Sequence, residues 1–286
     1  MRNMETVAVL GAGTMGHGIA QVCAVHGMNV RLYDIDRGAG EKGLGKIRDS
    51  LQRFVAKGKM EPGEADAALH RVAIHSELPP AARDADLVIE AAPERVEVKR
   101  KLFAEVGEAV SAECLLATNT SSLSIGALAA GVPHPARFLG LHFFNPVPLM
   151  ALLEVVRGES TDDATVAAAL EFAQRIGKEP IVVRDMPGFA SSRLGVALGA
   201  EAIRMLESGV ASAADIDKAM ELGYRHPMGP LRLTDLVGLD VRLAILEYLH
   251  REVGEQFRPP DLLRRMVSEG KLGRKSGEGF YRYPET

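Results

Sequence analysis

The chain begins with an apolar segment that leads directly into a glycine-rich turn. Residues 7–10 are all apolar, and Gly11, Gly13 and Gly16 follow in the pattern G-x-G-x-x-G. An alanine-rich stretch then runs to Gly27, before a strand-like segment at 29–34. This order predicts a strand, a tight turn, a helix and a second strand. Such a turn presents backbone N–H groups and a helix N-terminus to a pyrophosphate, so it predicts a dinucleotide site.

Asp34 ends the second strand-like segment, 23 residues after Gly11. A carboxylate at this position accepts hydrogen bonds from a ribose 2′-hydroxyl and repels a 2′-phosphate. Asp34 therefore favours NAD over NADP as the cofactor. An alternative interpretation is that Asp34 only caps the following turn together with Asp36, which would leave the cofactor preference open.

Short apolar runs continue to alternate with helix-like segments along the first two thirds of the chain. The runs cover residues 87–90, 115–118, 138–141 and 181–183, and the helix-like segments include 98–110 and 162–177. Continuous apolar runs are typical of strands that are buried on both faces of a parallel sheet. The alternation predicts an α/β fold with a doubly wound, Rossmann-type parallel sheet.

Residues 40–73 interrupt this alternation with a long segment rich in Lys, Arg, Glu and Ala. Pro62 and Gly63 stand near its middle. We interpret the segment as a protruding helical hairpin inserted into the sheet domain. A pair of solvated surface helices without a ligand role is the alternative, because charge on helices usually serves solvation.

The character of the chain changes near Asp185, where a domain boundary is expected. Residues 1–185 are predicted to form the NAD-binding Rossmann-type domain, and residues 186–286 an all-helical C-terminal domain. The predicted C-terminal helices cover residues 189–207, 213–222, 231–252 and 260–269. The glycine-rich basic tail at 273–281 is predicted to pack back as a loop.

Composition narrows the classes of protein that fit this chain. A net charge of −4 and a pI near 6.1 provide no general field for nucleic acid or an anionic membrane. No apolar run approaches the roughly 18 residues of a membrane-spanning helix. Cys23 and Cys114 show no metal-ligand spacing and are predicted to be buried apolar side chains. The same spacing argument predicts no metal site. Few cysteines, and no room for a targeting segment before residue 5, lead us to expect a cytoplasmic protein.

Polar residues follow strand ends between residues 117 and 154. Ser121 comes just after the run at 115–118, and His142 lies just after the run at 138–141. Ligands of open α/β sheets bind outside the carboxyl ends of the strands, so both side chains are expected to face the cofactor. Alcohol oxidation needs a base, and His142 is the candidate. Glu154 could orient its ring, although the sequence alone does not decide that contact.

Five segments resemble the L-3-hydroxyacyl-CoA dehydrogenase family, and especially its short bacterial 3-hydroxybutyryl-CoA dehydrogenase branch. They are residues 11–16, 119–122, 142–146, 187–189 and 275–281. Their order is that of the family, and the resemblance runs almost from end to end. The spacing adds to its specificity, since His142 follows Ser121 by 21 positions and Glu154 follows His142 by 12.

The resemblance implies a role for each matching residue. His142 would be the general base, Glu154 its orienting carboxylate, and Ser121 a contact to both the substrate oxygen and the cofactor. Further residues look like NAD contacts by their motif positions: Gly11, Gly13, Thr14, Met15, Gly16, Asp34, Glu94, Lys99, Asn145 and Lys275. Ser50 and Lys57 look like contacts to coenzyme A. Ser192 stands where the family usually has asparagine, which puts that substrate contact in doubt because a hydroxyl is shorter.

By this resemblance, the chain would interconvert (S)-3-hydroxyacyl-CoA and 3-oxoacyl-CoA with NAD in fatty-acid β-oxidation, on a short acyl chain. The C-terminal domain would bind substrate and form a homodimer. One alternative is a gulonate 3-dehydrogenase of the crystallin-like branch, which would not need the coenzyme A hairpin. A second is a non-catalytic dinucleotide sensor, which would have no use for His142 and Glu154. These details come from the resemblance alone. The acyl length and a second carboxylate on the substrate depend on pocket side chains that cannot be located in the sequence, so the residues themselves leave both of them and the pathway open.

Overall fold

The computed structural model describes residues 4–284 of the chain. Eight strands lie in this described part: β1 (Thr6–Leu10), β2 (Asn29–Tyr33), β3 (Val72–His75), β4 (Leu87–Glu90), β5 (Leu115–Thr118), β6 (Phe138–Phe143), β7 (Leu152–Arg157) and β8 (Glu179–Arg184). The α-helices of the sheet region are α1 (Gly16–Val25), α2 (Arg37–Ala56), α3 (Pro62–His70), α4 (Leu78–Ala82), α5 (Val96–Ala109), α6 (Ile125–Ala129) and α7 (Asp163–Arg175). The α-helices that follow are α8 (Ser191–Glu207), α9 (Ala213–Gly223), α10 (Pro230–Val237), α11 (Leu239–Glu252) and α12 (Asp261–Ser268). Single 3₁₀ turns cover Pro135–Arg137, Glu255–Phe257 and Arg274–Ser276.

All eight strands form one sheet in the order β3-β2-β1-β4-β5-β6-β7-β8. Neighbouring strands are parallel except for β6 and β7, which pair antiparallel. The predicted Rossmann-type sheet is therefore confirmed, with the correction that it is mostly and not wholly parallel. The apolar runs do not predict β3 or β7. In β3 only Val72 is buried, and in β7 the buried glutamate Glu154 interrupts the apolar pattern.

The segment predicted as a protruding hairpin folds as the helices α2 and α3, which connect the neighbouring parallel strands β2 and β3. Its predicted end at residue 73 is wrong, because α3 ends at His70 and Ala73 belongs to β3. One face of the hairpin is not solvated. Ile47, Leu51 and Ala68 are buried in the same apolar core as the sheet, so burial of this face holds the two helices against the domain.

The chain divides into two compact units, Met1–Asp185 and Met186–Thr286. The second unit is built on the helices α8 to α12 around a core of its own. The single helix predicted for residues 231–252 is wrong. Gly238 has φ 105° and separates α10 from α11, since a residue in that conformation cannot continue a right-handed helix.

Two buried carboxylates hold the C-terminal tail within the second unit. Asp235 accepts hydrogen bonds from the backbone N–H groups of Phe280 at 2.9 Å and Tyr281 at 3.0 Å, and from the Tyr283 hydroxyl at 3.0 Å. Asp217 accepts from the Tyr281 hydroxyl at 2.7 Å. The tail is thus fastened through its backbone and its tyrosines, which the loop prediction did not identify.

Replacing Asp235 with asparagine is expected to destabilise the protein at neutral pH by about 1–3 kcal/mol, because an amide cannot accept this whole set of hydrogen bonds. Burial raises the pKa of Asp235, despite the hydrogen bonds from Phe280, Tyr281 and Tyr283. Because the pKa of Asp235 is higher in the folded than in the unfolded protein, its ionisation lowers the free energy of unfolding as the pH rises from about 4 towards the folded-state pKa. The variant should lack this part of the pH dependence.

Thermal unfolding of both proteins across pH 4–8 measures the two effects. Asp66→Asn on the exposed side of α3 is the control and should unfold like the parent. An Asp235→Asn protein with unchanged unfolding temperature at neutral pH would contradict the assignment of Asp235 as the tail anchor.

Candidate active site

Four predicted site residues of the first unit lie at or just past the carboxyl ends of β1, β2, β5 and β6. Gly11 follows β1, Asp34 follows β2, and Ser121 lies just past β5. His142 is the last residue but one of β6. Because β1 to β6 run parallel, these ends share one edge of the sheet, which is where open α/β sheets bind ligands.

The glycine turn has the close packing that a dinucleotide site needs. Gly11 has φ 104°, and a Cβ on it would lie 2.6 Å from the Ala91 carbonyl oxygen. A Cβ on Gly16 would overlap the carbonyl oxygen of Gly11. Gly13 is different, since a Cβ there would meet nothing within 4 Å. The turn is therefore tight on its inner side and open at Gly13, which fits the approach of a pyrophosphate to the backbone.

Asp34 contacts this turn directly. Its Oδ2 accepts a hydrogen bond from the Ala12 N–H at 2.9 Å, and its Oδ1 accepts one from the Asp36 N–H at 3.1 Å. Asp36 itself caps α2 by accepting from the Gly38 N–H at 2.8 Å. Asp34 thus has the local capping contact and also lies beside the glycine turn, where its carboxylate fits a ribose hydroxyl.

His142 and Glu154 form a buried pair. They are register partners in the antiparallel pairing of β6 and β7, and Nδ1 of His142 lies 2.6 Å from Oε2 of Glu154. His142 is 6 % exposed and Glu154 is fully buried. When Glu154 is ionised, its carboxylate can only accept; Nδ1 then carries the proton of this contact, and Nε2 is the nitrogen that can act as a base. Phe144 packs beside the imidazole, with ring centroids 4.5 Å apart.

The turn that carries Ser121 is held by Glu94. Glu94 Oε1 accepts hydrogen bonds from the Ser121 N–H at 3.0 Å and the Ser122 N–H at 3.3 Å, and from the Thr120 hydroxyl. Burial acts to raise the pKa of Glu94, but the charge of Lys99 and these hydrogen bonds outweigh it and hold the pKa below its usual value. Glu94 therefore carries its negative charge beside Ser121 at neutral pH.

Lys99, predicted as a cofactor contact, is buried and already engaged with carboxylates. Its Nζ lies 2.7 Å from Oε1 of Glu90 and 3.1 Å from Oε2 of Glu94. Sequence reasoning missed Glu90, which is fully buried at the end of β4. Burial raises the pKa of Glu90, and Lys99 and the hydrogen bond from Thr118 offset this only in part. The sequence does contain a signal for Glu90, namely a charged residue at the end of an apolar strand.

Asn119 is a second residue that sequence reasoning did not single out. Its N–H donates to the Glu90 carbonyl at 2.7 Å, and its Oδ1 accepts from the Phe143 N–H at 2.9 Å. Asn119 therefore joins the ends of β4, β5 and β6 next to His142. The predicted contact Asn145 is exposed after β6 and forms a cis peptide with Pro146.

Ser50 and Lys57 lie on the hairpin formed by α2 and α3. They are far along the chain from the site residues described above. Ser50 is half-buried on α2, and the exposed Lys57 caps the C-terminus of that helix. Residues seven apart in a helix are two turns and about 10 Å apart on one face, so both can contact one extended ligand. Their role as coenzyme A contacts stays a prediction.

Two predicted site residues belong to the second unit. Ser192 is the second residue of α8, and Lys275 lies in the tail with its Nζ 2.6 Å from Asp240. The contacts predicted for Ser192 and Lys275 stay predictions.

Among the described residues there is no group of three or more His, Cys, Asp or Glu side chains that could hold a metal ion. Over the same part of the chain, no helix is both long and apolar enough to cross a membrane.

The sheet order, the glycine turn with Asp34 and the His142–Glu154 pair define the class of this protein as a Rossmann-type, NAD-dependent oxidoreductase. Residues 6–186 match the family described as "3-hydroxyacyl-CoA dehydrogenase, NAD binding domain". Residues 188–283 match "3-hydroxyacyl-CoA dehydrogenase, C-terminal domain". The chain belongs to the 3-hydroxyacyl-CoA dehydrogenase family.

Individual relatives cover the chain almost completely. The 3-hydroxybutyryl-CoA dehydrogenase of Bradyrhizobium diazoefficiens is 44% identical over 281 residues, which are 98% of this chain and 96% of that protein. The crystal structure of (S)-3-hydroxybutyryl-CoA dehydrogenase PaaH1 from Ralstonia eutropha has a TM-score of 0.96 at 43% identity, covering 99% of this chain and 100% of that one. The 3-hydroxyadipyl-CoA dehydrogenase of Escherichia coli is 43% identical over 98% of this chain and 59% of its own length.

Proposed function

We propose that this chain oxidises the 3-hydroxyl of a short (S)-3-hydroxyacyl-CoA, such as 3-hydroxybutyryl-CoA, to the 3-oxoacyl-CoA, and that it catalyses the reverse reduction. The observation that carries the proposal is the buried contact of 2.6 Å between His142 Nδ1 and Glu154 Oε2 at the ligand edge of the sheet. A dinucleotide sensor needs the glycine turn but gains nothing from a histidine prepared to take up a proton. The similarity to the 3-hydroxybutyryl-CoA dehydrogenases of Bradyrhizobium diazoefficiens and Ralstonia eutropha supports the choice of substrate.

Bound NAD supplies the acceptor for the hydride that leaves C3 of the alcohol. In the same step His142 Nε2 takes the hydroxyl proton, which leaves a carbonyl at C3 and an imidazolium on the protein. Glu154 stabilises that imidazolium and fixes the ring orientation. Ser121 holds the substrate oxygen, and the proton passes from His142 to solvent before the next turnover.

The test is an absorbance assay for NADH with 3-hydroxybutyryl-CoA, 3-hydroxyadipyl-CoA and gulonate as alternative substrates. We expect turnover of 3-hydroxybutyryl-CoA and none of gulonate. Oxidation of gulonate alone would identify the crystallin-like alternative, and NAD binding without turnover of any of the three would identify a sensor. Faster turnover of 3-hydroxyadipyl-CoA would show that the substrate carries a second carboxylate.

Cofactor preference is expected to depend on Asp34. Activity with NAD should exceed activity with NADP. Asp34→Ala should reduce the ratio of these two activities by raising the KM for NAD, because the hydrogen bond to the ribose is lost. The Michaelis constants for both cofactors measure this effect. Asp36→Ala provides a control, since it removes the cap of α2 and leaves the Asp34 carboxylate in place. Equal use of NAD and NADP by the unmodified protein would refute the assignment.

We also propose that the protein is a cytoplasmic homodimer that acts in fatty-acid β-oxidation. Large apolar side chains of the second unit are solvent-exposed in the single chain, among them Leu194 at 72%, Leu222 at 74% and Tyr224 at 75%. Exposed apolar side chains of this size are often covered by a partner. We therefore expect two chains to associate mainly through residues after Pro187 and to bury well over about 1,000 Å² in total. Light scattering at micromolar concentration should give twice the chain mass, and a monomeric mass would refute the dimer.

A further inference from the structure

Glu90 is a buried carboxylate at the end of β4, and both of its oxygens accept hydrogen bonds. Its Oε1 accepts from the Ala92 N–H at 2.6 Å and from Lys99 Nζ at 2.7 Å. Its Oε2 accepts from Lys99 Nζ at 2.9 Å and from the Thr118 hydroxyl at 2.5 Å. The carboxylate therefore holds Lys99 with both oxygens, and it fixes the direction in which the ammonium points.

Lys99 passes this constraint to Glu94. The Lys99 side chain is 1% exposed, and its Nζ lies 3.1 Å from Glu94 Oε2. The other oxygen of Glu94, Oε1, is the one that receives the donors of the turn at Ser121 and Ser122. One oxygen of Glu94 thus contacts Lys99, and the other accepts hydrogen bonds from the turn that carries Ser121.

The resulting chain of contacts joins β4, the loop that follows it, α5 and the turn after β5. Glu90 ends β4, Lys99 lies in the first turn of α5, and Glu94 lies in the loop between them. Ser121 follows the neighbouring strand β5, and its N–H is 3.0 Å from Glu94 Oε1. Without Lys99, the Glu94 carboxylate, which is 36% exposed, would lose the buried cation that holds it over the turn.

We propose that Glu90 is a positioning residue for the reaction, which acts through Lys99 and Glu94 to set the place of Ser121. This inference rests on the proposed function, in which Ser121 holds the substrate oxygen. A displacement of Ser121 by about 1 Å would be enough to lower turnover by tenfold or more. Glu90 itself touches neither substrate nor cofactor in this assignment.

The experiment is a double-mutant cycle on turnover with Glu90→Gln, Ser121→Ala and the two combined. The amide keeps the shape of Glu90 but removes the charge that holds Lys99. We expect Glu90→Gln to lower kcat by about tenfold or more, and to cost little further when Ser121 is already alanine. Independent effects, in which the two losses multiply, would overturn the proposal.

Hydrogen exchange of the backbone provides a readout that does not depend on turnover. In Glu90→Gln the amides of Ser121 and Ser122 should exchange faster, because Glu94 no longer stays in place to accept from them. Unchanged exchange at these two amides would overturn the proposal. If the unmodified protein turned over none of the tested thioesters, the proposed function would fail, while the exchange result would still report on the contact chain.

Two further variants separate positioning from loss of stability. Thr161→Val removes a buried hydrogen bond of 2.6 Å to the Phe138 carbonyl and is the matched control, which should lower the unfolding temperature without changing exchange at Ser121. Should Glu90→Gln alone fail to fold, Glu90→Gln with Lys99→Met removes both charges of the pair together. This double variant should fold with low kcat and fast exchange at the turn, and full kcat in it would overturn the proposal.

Discussion

Replacing His142 with glutamine is expected to lower the turnover number by about 10²-fold or more, the usual contribution of a positioned general base. Glutamine is similar in length and can still donate a hydrogen bond to Glu154, so the fold and NAD binding should persist. It cannot take up the hydroxyl proton at neutral pH. The loss should therefore appear in kcat, with little change in the dissociation constant of NADH.

The measurement is turnover in both directions together with NADH fluorescence titration. His70→Gln is the matched control, because it makes the same change on the exposed end of α3, where Nδ1 bonds only to the Asp66 carbonyl in the described contacts. This control should behave like the parent. Near-normal turnover of His142→Gln would show that another group moves the proton.

Replacing Glu154 with glutamine is expected to move the pH profile of turnover to lower pH in both directions. Oxidation of the alcohol needs neutral His142, and the reverse reduction needs its protonated form. Removing the negative charge 2.6 Å from Nδ1 makes the imidazolium less favourable and so lowers the pKa of His142 in the variant. Reduction at neutral pH should therefore fall, by up to about tenfold for each 1.4 kcal/mol by which loss of the charge disfavours the imidazolium.

The rates of both reactions from pH 5 to 9 test this expectation. Glu171→Gln, the same change on the exposed side of α7, is the control and should leave both profiles in place. If Glu154→Gln left the midpoints unchanged, the pair would have no role in proton transfer, although the fold and the cofactor assignment would stand.

Local patterns in the sequence were sufficient for much of the fold. The glycine turn, the strands at Leu87–Glu90 and Leu115–Thr118 and the helical character of the hairpin were all predicted, because each depends on residues close together in the chain. The resemblance to the 3-hydroxyacyl-CoA dehydrogenase family was also readable from motifs. Predictions failed where a single residue or an edge position decides the structure, as at Gly238 and in β3.

The sequence by itself determined that this protein has a dinucleotide turn, a Rossmann-type sheet and the residue types of a hydroxyacyl-CoA dehydrogenase. Only the tertiary structure decided that His142 lies opposite Glu154, because that contact depends on the antiparallel register of β6 and β7, which no local pattern specifies. The same holds for Glu90, Lys99 and Glu94. The sequence shows Glu94 and Lys99 only as motif positions and Glu90 only as a charged end of an apolar strand. The burial of Lys99 between two carboxylates appears only when β4, α5 and the intervening loop pack together.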